Sequence, residues 1–168
     1  MRHNTRMSRE IYDNEVLPMR DKVYRFARSI LGDAFQAEDA VQSVMERLWR
    51  RRDRLGHYEN VGAVVMVTAR NVSIDMIRRR RETETIERLK TVEGHTHEIN
   101  DTHQIVEDLI KKLPETMRTV IHLRDIEGYE IDEIAEIVKR DAPTVRVYLS
   151  RARKTVREDL IKIMNYGN

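Results

Sequence analysis

"YEIDEIAEIVKRDAPTVRVYLSRARKTVRE", Tyr129 to Glu158, decides the fold. Ile131, Ile134, Ala135 and Val138 fall at i, i+3, i+4 and i+7, and Val145, Leu149, Ala152 and Val156 keep the same helical spacing further on. Two apolar stripes of that kind can pack together, with the small Ala135 allowing close approach, and Asp141 between them can accept from the free N–H groups that open the second helix. The segment therefore reads as helix, tight turn, helix. Advancing by about 100° per residue along the second helix puts Pro143, Thr144, Val147, Ser150, Arg151 and Lys154 opposite its core, with Arg146 and Arg157 on the flanks. Such a face suits the major groove, where the first turns meet base edges and longer cations behind them reach phosphates. A solvated basic face on a helical bundle would carry the same charges. The conjunction of turn, cap and basic outer face in one segment favours a DNA-recognition helix.

The helical period extends outward over nearly the whole chain, and no stretch alternates with period two for long enough to argue a sheet. The expected class is all-α. With 168 residues and 36% charged positions, two small helical bundles fit better than one large core. A first helix is predicted from Val16 to Leu31, with Val23, Phe26, Ala27 and Ile30 on one side, broken at Gly32 and Asp33. A second spans Ala34 to Arg52 with Val41, Val44, Met45 and Leu48 as its stripe, and a third runs from Val61 to Arg81. Residues 82–104 have few large apolar side chains and read as a flexible linker. Helices return from Ile105 to Lys112, from Pro114 to Gly128, from Ile131 to Val138 and from Ala142 onward. The predicted organisation is an N-terminal domain over residues 1–81, a linker over 82–104 and a C-terminal helix-turn-helix domain over 105–168.

Bulk composition narrows the function. The absence of cysteine removes disulfides and thiolate metal sites, and no apolar run approaches the roughly 20 residues that cross a bilayer. No signal-peptide pattern opens the sequence, so a soluble, cytoplasmic protein without membrane insertion is expected. A net charge of only +2 means that attraction to a polyanion must come from local clusters. No glycine loop for nucleotides, nucleophile elbow or HExxH helix is present, so no catalytic residue and no cofactor is assigned. His95, His97, Glu98, Asp101 and His103 in the linker can be imagined around a zinc ion, but their spacing matches no common zinc motif and no metal site is assigned.

The strongest cluster is "SIDMIRRRRE", Ser73 to Glu82, where arginines at 78–81 close the third helix. Cations compensate a helix dipole there and also suit phosphates, so one set of charges serves both readings. Asn71 and Asp75 lie one turn apart with Arg78 and Arg79 within reach, a spacing that fits a local ion-pair network.

"LPETMRTVIHLRDIEGYEIDEIAEI" followed by "TVRVYLSRARKTVRE" resembles the minus-thirty-five-binding domain of bacterial extracytoplasmic-function (ECF) sigma factors. "GDAFQAEDAVQSVMERLW" and "TARNVSIDMIRRR" resemble the same family's other domain, and both occur in family order. The resemblance implies that Thr144, Arg146, Val147, Ser150 and Arg151 face promoter DNA, with Lys154 on the same surface. It implies that the second helix docks on the clamp helices of the largest subunit of core RNA polymerase through Asp39, Gln42, Ser43, Glu46 and Trp49, Ser43 standing where relatives are usually acidic. Asp39, Gln42 and Glu46 do share a helical face, and a Trp is a suitable anchor for a small interface, although a lone Trp is as often core. The minus-ten element is then met by Tyr58, for stacking, and Asn60, for a base edge, with Arg70, Asn71, Arg78 and Arg79 holding the strand. The family's aromatic residue at the start of the third helix is replaced here by Val64 and Val65. The implied function is promoter-specific transcription initiation without enzymatic activity of its own, restrained by an anti-sigma factor. A stand-alone helix-turn-helix regulator with an N-terminal dimerisation or effector module, and an interaction protein using its basic face on an acidic partner, are the alternatives.

Overall fold

A computed structural model describes residues 2–86 and 102–166, and every regular element among them is helical. In chain order these are α1 (Arg2–Ile11), a π turn (Tyr12–Val16), a 3-10 turn (Leu17–Met19), α2 (Arg20–Leu31), α3 (Ala34–Arg50), a 3-10 turn (Arg52–His57) and α4 (Val61–Ile86). The second half holds α5 (Thr102–Lys111), α6 (Glu115–Ile121), a π turn (His122–Ile126), α7 (Ile131–Val138) and α8 (Ala142–Tyr166).

Several expected boundaries move. The helix predicted from Val16 starts as α-helix only at Arg20, because Pro18 has no N–H to donate and the chain passes through π and 3-10 turns first. The second helix ends at Arg50, two residues before Arg52, and the third continues past Arg81 to Ile86. The helix predicted from Pro114 to Gly128 is α-helical only to Ile121 and gives way to the π turn, and the one expected from Ile105 starts at Thr102. Helix α1 was not anticipated at all. The punctuation between α2 and α3 is as expected: Gly32 takes the left-handed conformation at φ 74°, its N–H donating to Arg28, and Asp33 accepts from the Gln36 N–H at 2.8 Å.

Helices α2, α3 and α4 pack around Val23, Phe26, Ala27, Ile30, Val41, Val44, Val65 and Met66, while α6, α7 and α8 close over Val120, Leu123, Ile134, Ile137, Val145 and Ala152. The two small domains lie against each other, α2 on α6 and its π turn and α4 on α7, so that their buried side chains form one continuous cluster. Polar groups define the seam. Arg25 on α2 donates from Nε and Nη2 to the two carboxylate oxygens of Glu127, at 2.9 and 3.0 Å, and the Glu127 side chain is only 3% exposed. Beside it the His122 ring stacks on Phe26 with centroids 5.9 Å apart. Arg118 on α6 donates to the Ile30 carbonyl at 3.1 Å and to the Lys111 carbonyl at 3.0 Å. One guanidinium thus satisfies final-turn carbonyls of α2 and α5 together, the end of a helix where a cation is favoured.

Candidate nucleic-acid interface

The helix-turn-helix is built as its spacing requires. A capping box between Glu130 and Glu133 opens α7. The helix ends at Lys139 with φ 55°, a left-handed conformation in which glycine is usual and a non-glycine residue costs about 1 kcal/mol. Asp141 then accepts from the Thr144 N–H at 2.8 Å, and hydrogen bonding from the Thr144 hydroxyl, with that N–H second, holds its carboxyl below the ordinary range. Val145, Leu149 and Ala152 are buried, so the opposite side of α8 is presented outward: Arg146, Val147, Ser150, Arg151 and Lys154 are exposed and Thr144 is half-buried. Arg146, Leu149, Ser150, Arg153, Lys154 and Arg157 line a shallow groove on this helix. Arg153 is held there by Asp125, whose carboxylate accepts from Nε at 3.0 Å and from Nη2. Sequence reading passed over Arg153, because its partner lies across the turn of the preceding π segment and only the fold joins them.

In the other domain Tyr58 and Asn60 sit together in the short loop between the 3-10 turn and α4, both exposed. Asn60 is not wholly free for a ligand: its Oδ1 accepts from the Ala63 N–H at 2.9 Å and caps α4. Further along that helix Arg70 and Asn71 are half-buried, whereas Arg78 and Arg79 are exposed. Asp75 pairs with Arg78 at 3.2 Å, as the spacing suggested. Arg80 is drawn to Glu84 at 3.7 Å and to Gln36 at 3.4 Å. The arginine run is therefore partly structural and partly open.

On α3, Asp39, Gln42 and Glu46 point outward in a row, Ser43 is half-buried, and Glu46 pairs with Arg50. Trp49, 38% exposed, combines both readings of its role. One edge packs on Tyr12 with centroids 5.0 Å apart and the Arg52 guanidinium covers its face at 4.3 Å, leaving part of the ring open at the end of the row. Phe35, 85% exposed, stands four residues before Asp39 on the same stripe and was not singled out from the sequence. Of the residues imagined around zinc, His95, His97, Glu98 and Asp101 lie outside the described residues, and among the described residues no group of three or more His, Asp or Glu could hold a metal. Among the described residues no helix is long and apolar enough to cross a membrane.

A helix-turn-helix whose second helix carries a cationic outer face, on a domain packed against a second helical domain with arginines near the end of its last helix, defines a two-domain all-helical protein. Family comparison matches residues 16–83 to sigma-70 region 2 and residues 103–156 to sigma-70 region 4. The chain is 29% identical over 162 residues to the ECF RNA polymerase sigma factor SigE of Mycolicibacterium smegmatis, covering 90% of this chain and 62% of that protein. It is 26% identical over 160 residues to the ECF RNA polymerase sigma factor SigW of Bacillus subtilis, covering 84% of each. The chain thus spans under two thirds of the SigE relative's length. Its fold matches the sigma factor RpoE of Bartonella quintana, solved in complex with the anti-sigma factor NepR, with TM-score 0.75 and 24% identity over 90% of this chain and 97% of that one. The chain belongs to the ECF RNA polymerase sigma factors. The match over residues 16–83 makes the N-terminal half a sigma module rather than a dimerisation or effector unit.

Proposed function

We propose that this chain is a sigma subunit that binds core RNA polymerase, directs it to a set of promoters and uses binding energy to open them, with the polymerase performing the chemistry. Asp39, Gln42, Ser43, Glu46 and Trp49 dock on the polymerase clamp helices. Thr144, Arg146, Val147, Ser150, Arg151 and Lys154 read the minus-thirty-five element. Tyr58 and Asn60 capture a minus-ten base, and Arg70, Asn71, Arg78 and Arg79 hold the strand. The protein works in the cytoplasm and has no enzymatic activity of its own. The N-terminal module occupies residues 1–81 and the C-terminal one residues 105–168.

The observation that carries this reading is the joint exposure of two unlike surfaces: the acidic and aromatic row of α3, and the basic face of α8 on the other domain. A duplex repels the first and attracts the second, so the α3 row is suited to a protein partner. The packed arrangement fits a polymerase-dependent role. The two promoter elements lie roughly 25 base pairs apart, about 85 Å at about 3.4 Å per step. A compact chain of 168 residues has a radius of gyration of about 15 Å, hence a diameter near about 40 Å. Both faces can engage one promoter only after the domains separate, and the polymerase supplies the scaffold that holds them apart. An anti-sigma factor that favours the packed arrangement would restrain the protein, and a structural relative is known in complex with such a partner.

The test is retention of core polymerase on the immobilised chain at moderate salt. Wild type retains the enzyme and Glu46→Arg loses most of it; equal retention by both removes the α3 row from the interface.

A further inference from the structure

Helix α1 lies before residue 16, where the match to sigma-70 region 2 begins, yet it is built into that domain. It packs on the 3-10 turn that leads into the loop carrying Tyr58. Ser8 and Tyr12 are buried, Ile11 is half-buried between them, and the Tyr12 hydroxyl donates to the Met45 carbonyl at 3.1 Å, fixing the end of α1 to α3. The approach is tight at Gly56, where a Cβ would meet Cδ1 of Ile11 at 3.3 Å. Next to it Leu55 is fully buried and its carbonyl accepts from the Tyr58 N–H at 3.1 Å. The loop is thus pinned at both ends, at Gly56 against Ile11 of α1 with Leu55 buried in the core beside it, and at Asn60 as the cap of α4. A stacking platform works only when its ring waits in the position the base will take, and that position is set by the groups behind it.

We propose that α1 is a positioning element for the base-capture loop, and that the Ile11–Gly56 contact sets where Tyr58 stands when promoter DNA opens. This rests on the reading of Tyr58 as a minus-ten contact. Ile11 touches no nucleic acid in this scheme; it acts through Gly56 and Leu55.

Full-length protein is reconstituted with core polymerase on a promoter mapped by sequencing transcripts after overexpression, and opening is read as permanganate reactivity of minus-ten thymines. Gly56→Ala forces the Ile11 methyl aside and is expected to lose reactivity while core polymerase is retained as by wild type. Adding Ile11→Val removes that methyl, and the double variant is expected to recover opening. Tyr58→Ala is run in parallel. Should it lose opening while Gly56→Ala and Ile11→Ala both keep the wild-type signal, α1 has no positioning role and the minus-ten reading of the loop stands. Full opening by Tyr58→Ala removes the loop reading and the inference with it. If Ile11→Ala fails to fold, as thermal melting would reveal, the Gly56→Ala variant and its Ile11→Val rescue decide alone: a defect that Ile11→Val does not repair contradicts the contact.

Discussion

At Asn60 the oxygen caps α4, and the proposed minus-ten role would use the amide hydrogens of the same side chain on a base edge. The two roles separate by substitution. Asn60→Ala should lose about 1 kcal/mol of stability with the cap, measured by denaturant unfolding, and lose base capture as well. Asn60→Ser keeps a capping oxygen and so should hold near wild-type stability while losing minus-ten discrimination. Arg25 and Glu127 form a second instructive pair, because one partner is half in water and the other is sealed in the seam. Arg25→Ala leaves a buried carboxylate without its cation and should cost about 1–3 kcal/mol, less than a fully buried pair would because Arg25 is partly solvated. Glu127→Ala frees an arginine that can turn to solvent, and its cost should be the smaller. Equal costs in a double-mutant cycle would show that the seam does not desolvate the carboxylate as the geometry requires.

For single elements, periodicity is strong evidence where a helix buries a full stripe. The interiors of α2, α3, α7 and α8, and the turn between the last two, are legible because their apolar residues recur at helical spacing and their caps are Asp33 and Asp141. Helix α1 escapes because "RHNTRMSREI" offers only Met7 and Ile11 as apolar side chains, and its order comes from packing on the turn at Gly56. The π turn at His122–Ile126 escapes because nothing in "HLRDI" distinguishes a widened turn from a regular one. Along α8 the exposed face makes a graded prediction. Replacing Arg146 or Arg151 by Ala should cost about 1–3 kcal/mol and relax base preference in the minus-thirty-five element if these arginines read bases. Lys154→Ala should weaken all promoters alike and lower the salt dependence by about one counterion. Competition assays over a library of minus-thirty-five variants distinguish the two. Unchanged preference in both arginine variants would remove the recognition face.

Across the whole molecule the seam is what no local pattern announces, since Arg25 and Glu127 are 102 residues apart and Arg118 reaches the Ile30 carbonyl from 88. It also makes stability depend on pH. Burial pushes the His122 imidazole below its ordinary value, and nearby Glu127, with Nε2 to Oε1 at 3.3 Å, only partly offsets that. Burial works to raise the Glu127 carboxyl, but the Arg25 hydrogen bonds and charge outweigh it and the net shift is downward. Both groups therefore bind fewer protons folded than unfolded. Their stabilisation is complete above about pH 6.5 and declines as the medium becomes more acid, His122 first and Glu127 below its ordinary 4.5. Melting temperature should fall with acidification from about pH 6.5, and His122→Gln should flatten the upper part of that fall. In the proposed reading two packed domains, each with its DNA face outward, must part before both faces can reach one promoter, and run-off transcription with purified core polymerase tests this most directly. Adding the protein should convert core from random initiation to a single promoter-specific transcript, while the protein alone leaves that promoter unprotected. Protection of duplex promoter by the free protein, with core polymerase still unable to initiate there, would contradict it.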